Sequence, residues 1–194
     1  MTDPQDMALA AKKATAQAAL EIVSDKSLNP SEYEFARAVV ALADYSGKRL
    51  ACAESLTGGM LAELITSVPG ASQVFNGGVV AYTPEIKHQV LEIDARWLAD
   101  VVTADVAIGM ASGVARLMAS DFSLACTGVA GPAKSGRHEP GEVHIAIWTA
   151  GQTRSVSLQF SGSRDEIRVQ TCIAMLGLAI DWLLSVSDLE RPDL

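Results

Sequence analysis

The stretch RLACAESLTGGMLAELI, residues 49–65, restricts the possible folds most. Its apolar run ends at Glu54, too short for a helix, and reads as a strand. Gly58 and Gly59 follow, and a helix-like pattern runs over 58–67 until Pro69 and Gly70 close it. A strand that turns into a helix through adjacent glycines is a unit of layered α/β domains.

The rest of the chain keeps this alternation. Residues 5–24 are rich in Ala and read as a helix with a weak apolar stripe, and 24–30 as a linker. Ser31 and Glu34 form a capping box before a helix that Gly47 stops. GGVVAYT (77–83) reads as a strand, and TPEIKHQVLEI as a turn and short helix. Thr103 caps a helix to about Ala119, with Val106, Met110, Val114 and Leu117 as its buried stripe. Residues 122–128 form a buried strand, followed by a Gly/Pro-rich loop over 128–141. EVHIAIWTA and RSVSLQF pair as a hairpin. Ser163 and Glu166 open a long helix carrying Ile167, Ile173, Met175, Leu176, Ile180, Leu183 and Leu184. We expect a three-layer α/β domain over 31–187, with a mixed, mostly parallel sheet flanked by helices. A helical extension and linker (1–30) precede it and a tail (188–194) follows.

Composition narrows the ligands. Of 194 residues, 49% are hydrophobic and 5% aromatic, so Ala, Val and Leu carry one close-packed core. The formal net charge is −8, and no run of Lys or Arg supplies the basic face of a general nucleic-acid binder. An anionic ligand must therefore be held by helix N-termini and a few placed cations. Cys52, Cys126 and Cys172 lie in apolar segments without a CxxC, which reads as buried reduced thiols suited to a cytoplasm. The start MTDPQDM is acidic, without a signal-peptide pattern, and no uninterrupted apolar stretch approaches a membrane span. No membrane partner is expected.

Four segments carry candidate chemistry. Ser55 and Thr57 fall at the carboxyl end of a strand, where ligands of open α/β sheets bind. One of them caps the following helix, or the turn exposes a nucleophile beside N–H groups of Thr57, Gly58 and Gly59 that receive an oxyanion. Glu54 reads as part of the same cluster or as a solvated strand end. Tyr82 ends an apolar strand and Lys87 follows it. A Lys beside a Ser can act as its base once desolvation lowers its pKa; an exposed Lys is the plainer alternative. Thr127, Gly128 and Gly131 in CTGVAGP also follow a buried strand. Arg164 falls in a first helical turn, where a cation opposes the helix dipole unless an anion or a neighbouring carboxylate answers it, and Arg168 lies one turn later on the same side. The chain has no GxGxxG, P-loop, GxSxG or SxxK pattern, and no metal-ligand spacing. His88, His138 and His144 are scattered.

Taken together, AESLTGGMLAELITSVPGAS, FNGGVVAYTPEIK, ACTGVAGP, GEVHIAI and SGSRDEIR, in this order, resemble the CinA C-terminal domain family over roughly 49–185. The resemblance implies nicotinamide-nucleotide amidohydrolase activity, or NMN deamidation. Nicotinamide mononucleotide is hydrolysed to nicotinate mononucleotide and ammonia in pyridine-nucleotide salvage, without cofactor or metal. It points to Ser55 as nucleophile, to Tyr82 and Lys87 as its proton relay, and to Thr127, Arg164 and Arg168 in the substrate pocket. The expected partner is a small nucleotide, and the expected assembly a homo-oligomer. Two local departures stand out. Leu56 replaces the family's Cys and should pack under the turn. AKSGRHEPGE replaces a Gly-rich loop and offers Lys134 and Arg137 as competing phosphate ligands. Larger CinA proteins also carry an N-terminal cofactor-type domain, which residues 1–30 do not supply. A non-catalytic nucleotide-binding or regulatory module, or an amidohydrolase for a related small amide, are the alternative readings.

Overall fold

The computed structural model describes residues 3–150 and 152–192. Helices α1 (Pro4–Ser24) and α2 (Glu32–Ser46) open the chain. Strand β1 (Leu50–Glu54), helix α3 (Met60–Thr66), strand β2 (Phe75–Val80) and helices α4 (Pro84–Leu91) and α5 (Ala104–Met118) follow. Strands β3 (Phe122–Gly128), β4 (Glu142–Thr149) and β5 (Gln152–Gln159) precede α6 (Arg164–Ser185).

The strands form one sheet in the order β2-β1-β3-β4-β5. β1 pairs in parallel with β2 and β3, while β3 with β4 and β4 with β5 are antiparallel. Only β4 therefore runs against the others, and the expected mixed sheet is found. Alternate side chains enter different layers. Leu50, Cys52, Phe122, Leu124, Val143 and Ile145 share a core with α1, α2, α3 and α6. Ala51, Ala53, Ala125 and Ala146 face α4 and α5 on the other side. Their small side chains let α5 lie close to the sheet. The chain leaves β1 toward β2 on one side and later returns to β3 on the other. The carboxyl ends of β1 and β3 thus flank a topological switch point, where a crevice is left open.

Several sequence expectations shift. β2 occupies 75–80, not 77–83, because Phe75 already pairs with Leu50 across an irregular register. Tyr82 consequently lies beyond the strand and is exposed. Leu117 is 52% exposed, and Ala107 and Ala111 join Val106, Met110 and Val114 on the buried face of α5. Ile173 and Leu184 are only partly buried, while Cys172, Leu178 and Ala179 complete the α6 core face. α1 docks on the domain through Ala16, Ala19 and Leu20, and Lys12 pairs with Asp44 at 2.7 Å. Lys13 and Tyr45 both hold Asp188, and Leu189 is buried, so the expected tail begins inside the fold. α6 reaches, by length and a mean hydropathy of 1.5, what a membrane span requires, against the sequence expectation. Half of that stretch is buried in the domain, where it serves as a core helix.

α4 and α5 meet closely at Gly113, where a methyl group would lie 2.2 Å from the Leu91 carbonyl oxygen. Gly113→Ala should destabilise the protein by about 1–3 kcal/mol, the range for overpacking, read from the urea unfolding midpoint.

Candidate active site

The turn after β1 is organised by a buried carboxylate. Glu54 accepts hydrogen bonds from the backbone N–H groups of Gly59 and Leu61 at 3.0 Å and of Ala62 at 2.9 Å. These are orphan donors at the start of α3, and a charged acceptor answers both their hydrogen-bonding need and the helix dipole. Gly59 is the N-cap residue and has no side chain to do so. Gly58 (φ 61°) and Gly59 (φ 99°) both adopt left-handed conformations that L side chains resist. Neither Ser55 nor Thr57 caps the helix. Glu54 is therefore not a solvated strand end, and the capping alternative for the two hydroxyls falls away.

Ser55 is free for another partner. Its Oγ accepts a hydrogen bond of 3.0 Å from Lys87 Nζ, which also donates to the Ala81 carbonyl at 2.6 Å. Lys87 is 1% exposed. It is aimed inward from α4, whose start is fixed by Thr83 accepting from the Ile86 N–H. Burial pushes the Lys87 ammonium down to about 8, a shift that the nearby Cys126 partly opposes. Lys87 is thus poised to carry a substantial neutral fraction near physiological pH.

Ser55 and Lys87 open onto a cleft of about 360 Å³ at the switch point, within the size range of small-molecule sites. Leu56, Val101 and Val102 give it an apolar wall, and Thr127, Gly128 and the following loop to Ala133 close the β3 side. Tyr82 and Arg164 stand at its rim. Arg164 Nη2 donates to the Tyr82 hydroxyl at 3.0 Å and Nη1 to the Gly131 carbonyl at 2.8 Å. The Tyr82 hydroxyl therefore meets Arg164, and it makes no hydrogen bond to Ser55 or Lys87. Thr127 donates to the Val101 carbonyl at 2.7 Å, bracing the wall.

Other predicted residues face elsewhere. Thr57 is fully buried, with its Oγ1 3.2 Å from Cys126 Sγ. Burial pushes the Cys126 thiol up to about 11. The Gly58 N–H is given to the Ser55 carbonyl and that of Gly59 to Glu54, so these two are unavailable as oxyanion donors. Leu56 is buried, as expected, and among the described residues its N–H has no protein partner. Arg168 does not line the cleft; its Nη2 and Nε bind the Thr57 carbonyl at 2.8 and 3.3 Å, and Nη1 meets Asp165 at 3.2 Å. Lys134 pairs with Glu139 at 2.5 Å and Arg137 with Asp100 at 2.6 Å, both outside the cleft.

No histidine lines the cleft. His88 Nδ1 meets the Ile93 carbonyl and His144 Nδ1 the Ser157 hydroxyl. His138 lies between Glu142 and Asp100, each at 2.8 Å. Burial pushes its imidazole down, but the hydrogen bonds to the two carboxylates outweigh this and raise it. That bridge ties the 133–141 loop to the segment before α5. Among the described residues no Ser-His-Asp arrangement forms at Ser55, whose hydroxyl is met by the Lys87 amine. Among the described residues no cluster of His, Cys, Asp or Glu is arranged to hold a metal.

Residues 32–184 match the family model of the CinA C-terminal domain. The chain belongs to the CinA family. A CinA-like protein of Gloeobacter violaceus is 40% identical over 166 residues, covering 84% of this chain and 36% of that protein. The chain thus spans little more than a third of that CinA relative. The competence damage-inducible protein A of Klebsiella pneumoniae has the same fold, with a TM-score of 0.78 and 28% identity, covering 80% of this chain and 98% of that one. CihA of Agrobacterium tumefaciens superposes with a TM-score of 0.74 at 29% identity, covering 81% and 96% of the respective chains. α1 lies outside the matched CinA segment.

The capping role of Glu54 is the feature that local motifs do not name; its signal in the sequence is a carboxylate ending a buried strand just before a helix whose N-cap glycine has no side chain. Glu54→Ala should destabilise the fold by about 1–3 kcal/mol, the cost of leaving buried N–H groups unpaired, measured by urea denaturation.

Proposed function

We propose that this protein is a serine amidohydrolase of the CinA family that hydrolyses the carboxamide of nicotinamide mononucleotide. The 3.0 Å contact between Ser55 Oγ and the buried Lys87 amine is the observation that supports this reading most. Neutral Lys87 removes the Ser55 hydroxyl proton as Oγ bonds to the carboxamide carbon, and the oxygen of that group becomes an oxyanion. The unpartnered N–H of Leu56, next to the nucleophile, is the donor for that charge, worth roughly 3 kcal/mol in comparable sites. The protonated Lys87 then returns its proton to the departing nitrogen. The C–N bond breaks, ammonia leaves, and an acyl-Ser55 ester remains. Water, deprotonated by Lys87, adds to the ester; the acid is released and Ser55 regains its proton.

The rim supports an anionic ligand with an aromatic ring. Arg164 supplies a guanidinium at the start of α6 for the phosphate, and the apolar wall accommodates the flat face of the pyridinium ring. Of the two expected phosphate ligands on α6, Arg164 is the one that faces the cleft. The acidic chain must rely on such local donors, since its net charge does not attract a phosphate at long range.

Steady-state ammonia release from nicotinamide mononucleotide tests the reading. Ser55→Ala should abolish turnover while leaving the protein folded by circular dichroism. Lys87→Met should lower turnover at least ~100-fold, the low end for a lost acid–base group. A folded wild type that releases ammonia from another pyridine amide but not from this nucleotide would move the substrate assignment. Release from none would favour a non-catalytic module.

The pH dependence follows from Lys87. Its ammonium form has no lone pair to accept the Ser55 proton, so kcat/KM should rise with pH and level off above about 8. A profile flat from pH 6 to 9 would remove Lys87 from the base role. Arg164→Ala should weaken nicotinamide mononucleotide more than nicotinamide riboside, which has no phosphate; equal losses in KM would assign Arg164 to the rest of the ligand.

A further inference from the structure

We propose that Arg168 is a positioning residue, which holds the Thr57 carbonyl from outside the cleft and so fixes the turn that presents Ser55 to Lys87. This rests on Ser55 being the nucleophile. The turn needs an external restraint. Gly58 and Gly59 are adjacent and both left-handed, and glycine loses more conformational freedom on ordering than any other residue. Two charged groups remove that freedom from opposite sides. Glu54 holds the helix side through Gly59, Leu61 and Ala62. Arg168 holds the residue just before the glycines through two N–H groups on one carbonyl, at 2.8 and 3.3 Å. The Thr57 side chain is also packed against Cys126, so this residue is fixed at its hydroxyl and its carbonyl.

The restraint reaches the reacting atom by a short route. Thr57 is two residues from Ser55, whose carbonyl also accepts the Gly58 N–H at 3.1 Å. Lys87 is held independently by the Ala81 carbonyl. The Ser55–Lys87 distance therefore depends on the turn staying in register with α4, and Arg168 carries that register from α6. Arg164, one helical turn earlier on α6, reaches the cleft rim. The same helix thus sets the ligand cation and the nucleophile turn. Lysine is a poor substitute, because a single ammonium lacks the planar fork that spans Thr57 and Asp165 together.

The test reads Ser55 reactivity directly, without a nucleotide substrate. The rate of Ser55 labelling by a fluorophosphonate is measured for the full chain and for Arg168→Met, Arg168→Lys and Asp165→Asn, with thermal midpoints and with kcat and KM for nicotinamide mononucleotide. Arg168→Met should label about 10- to 100-fold more slowly, as misplacement of a reacting group by an ångström or less does. Its kcat should fall in proportion while KM changes little. Arg168→Lys should lie between the two, and Asp165→Asn should label at the wild-type rate, since it leaves the Thr57 contact intact. Wild-type labelling in a folded Arg168→Met, with a KM raised for the nucleotide but not its riboside, would overturn the proposal and make Arg168 a phosphate ligand. If Arg168→Met does not fold, Arg168→Lys decides: a folded protein with wild-type labelling overturns the proposal, and slowed labelling at an unchanged thermal midpoint supports it. A wild type that labels at Ser55 yet releases no ammonia from the nucleotide would sink the substrate reading alone.

Discussion

The buried carboxylate of Glu54 sets the terms for the whole site. A helix that starts from a glycine N-cap leaves its first N–H groups without a side-chain partner, and in most proteins a nearby Ser or Thr answers them. Here Glu54 reaches forward from the end of β1 and takes three of them. Ser55 is consequently relieved of capping and can point toward α4. The strand, the turn and α3 are joined through the Glu54 carboxylate, so Ser55 sits between rigid elements on both sides. A carboxylate buried in this way is stable because each N–H bond is charge-assisted. It also keeps its charge directed at the helix, and Lys87 has no carboxylate among its hydrogen-bond partners.

That separation of charges is what gives Lys87 its character. A buried lysine paired with a carboxylate would remain an ammonium. Lys87 instead meets a serine hydroxyl and a main-chain carbonyl, both neutral, and is buried although it lines the cleft. Desolvation is then the leading influence on it. Several other cations are answered by carboxylates or carbonyls: Arg137 on Asp100, Lys134 on Glu139, Arg168 on Thr57. Arg164 is the cation that reaches the cleft, and its partners there are a tyrosine hydroxyl and a carbonyl, which leave its charge uncompensated.

Much of the architecture is legible along the chain because its cues are local. The reciprocal bonds of Ser163 and Glu166 form as their spacing requires, at 2.7 and 3.3 Å, and Gly47 ends α2 with φ 62°. The hairpin of β4 and β5 follows from alternating side chains around a short turn. Where the reading failed, a distant partner had overruled local pattern. β2 begins at Phe75 because Leu50 is there to pair with it. Leu117 fits the helical period of α5, yet at this end of the helix Ala115 and Met118 face the core and the Leu117 side chain stays in solvent.

The sequence by itself determined the alternation of strands and helices, their caps, the scarcity of long-range positive charge, and the presence of Ser55, Lys87 and two α6 arginines near strand ends and helix starts. Those properties depend on neighbours within a few residues, or on composition, and so can be read in one dimension. Only the tertiary structure decided which groups meet. Ser55 and Lys87 are 32 residues apart and come together because β2 runs parallel beside β1 and leads directly into α4. Arg164 and Arg168 look equivalent in the sequence, one helical turn apart, and yet one faces the cleft and the other the Thr57 carbonyl in the turn after β1. The direction of a guanidinium depends on which carbonyl lies within its reach, and that is a property of how α6 sits against the turn after β1 and the loop after β3, which no local pattern encodes.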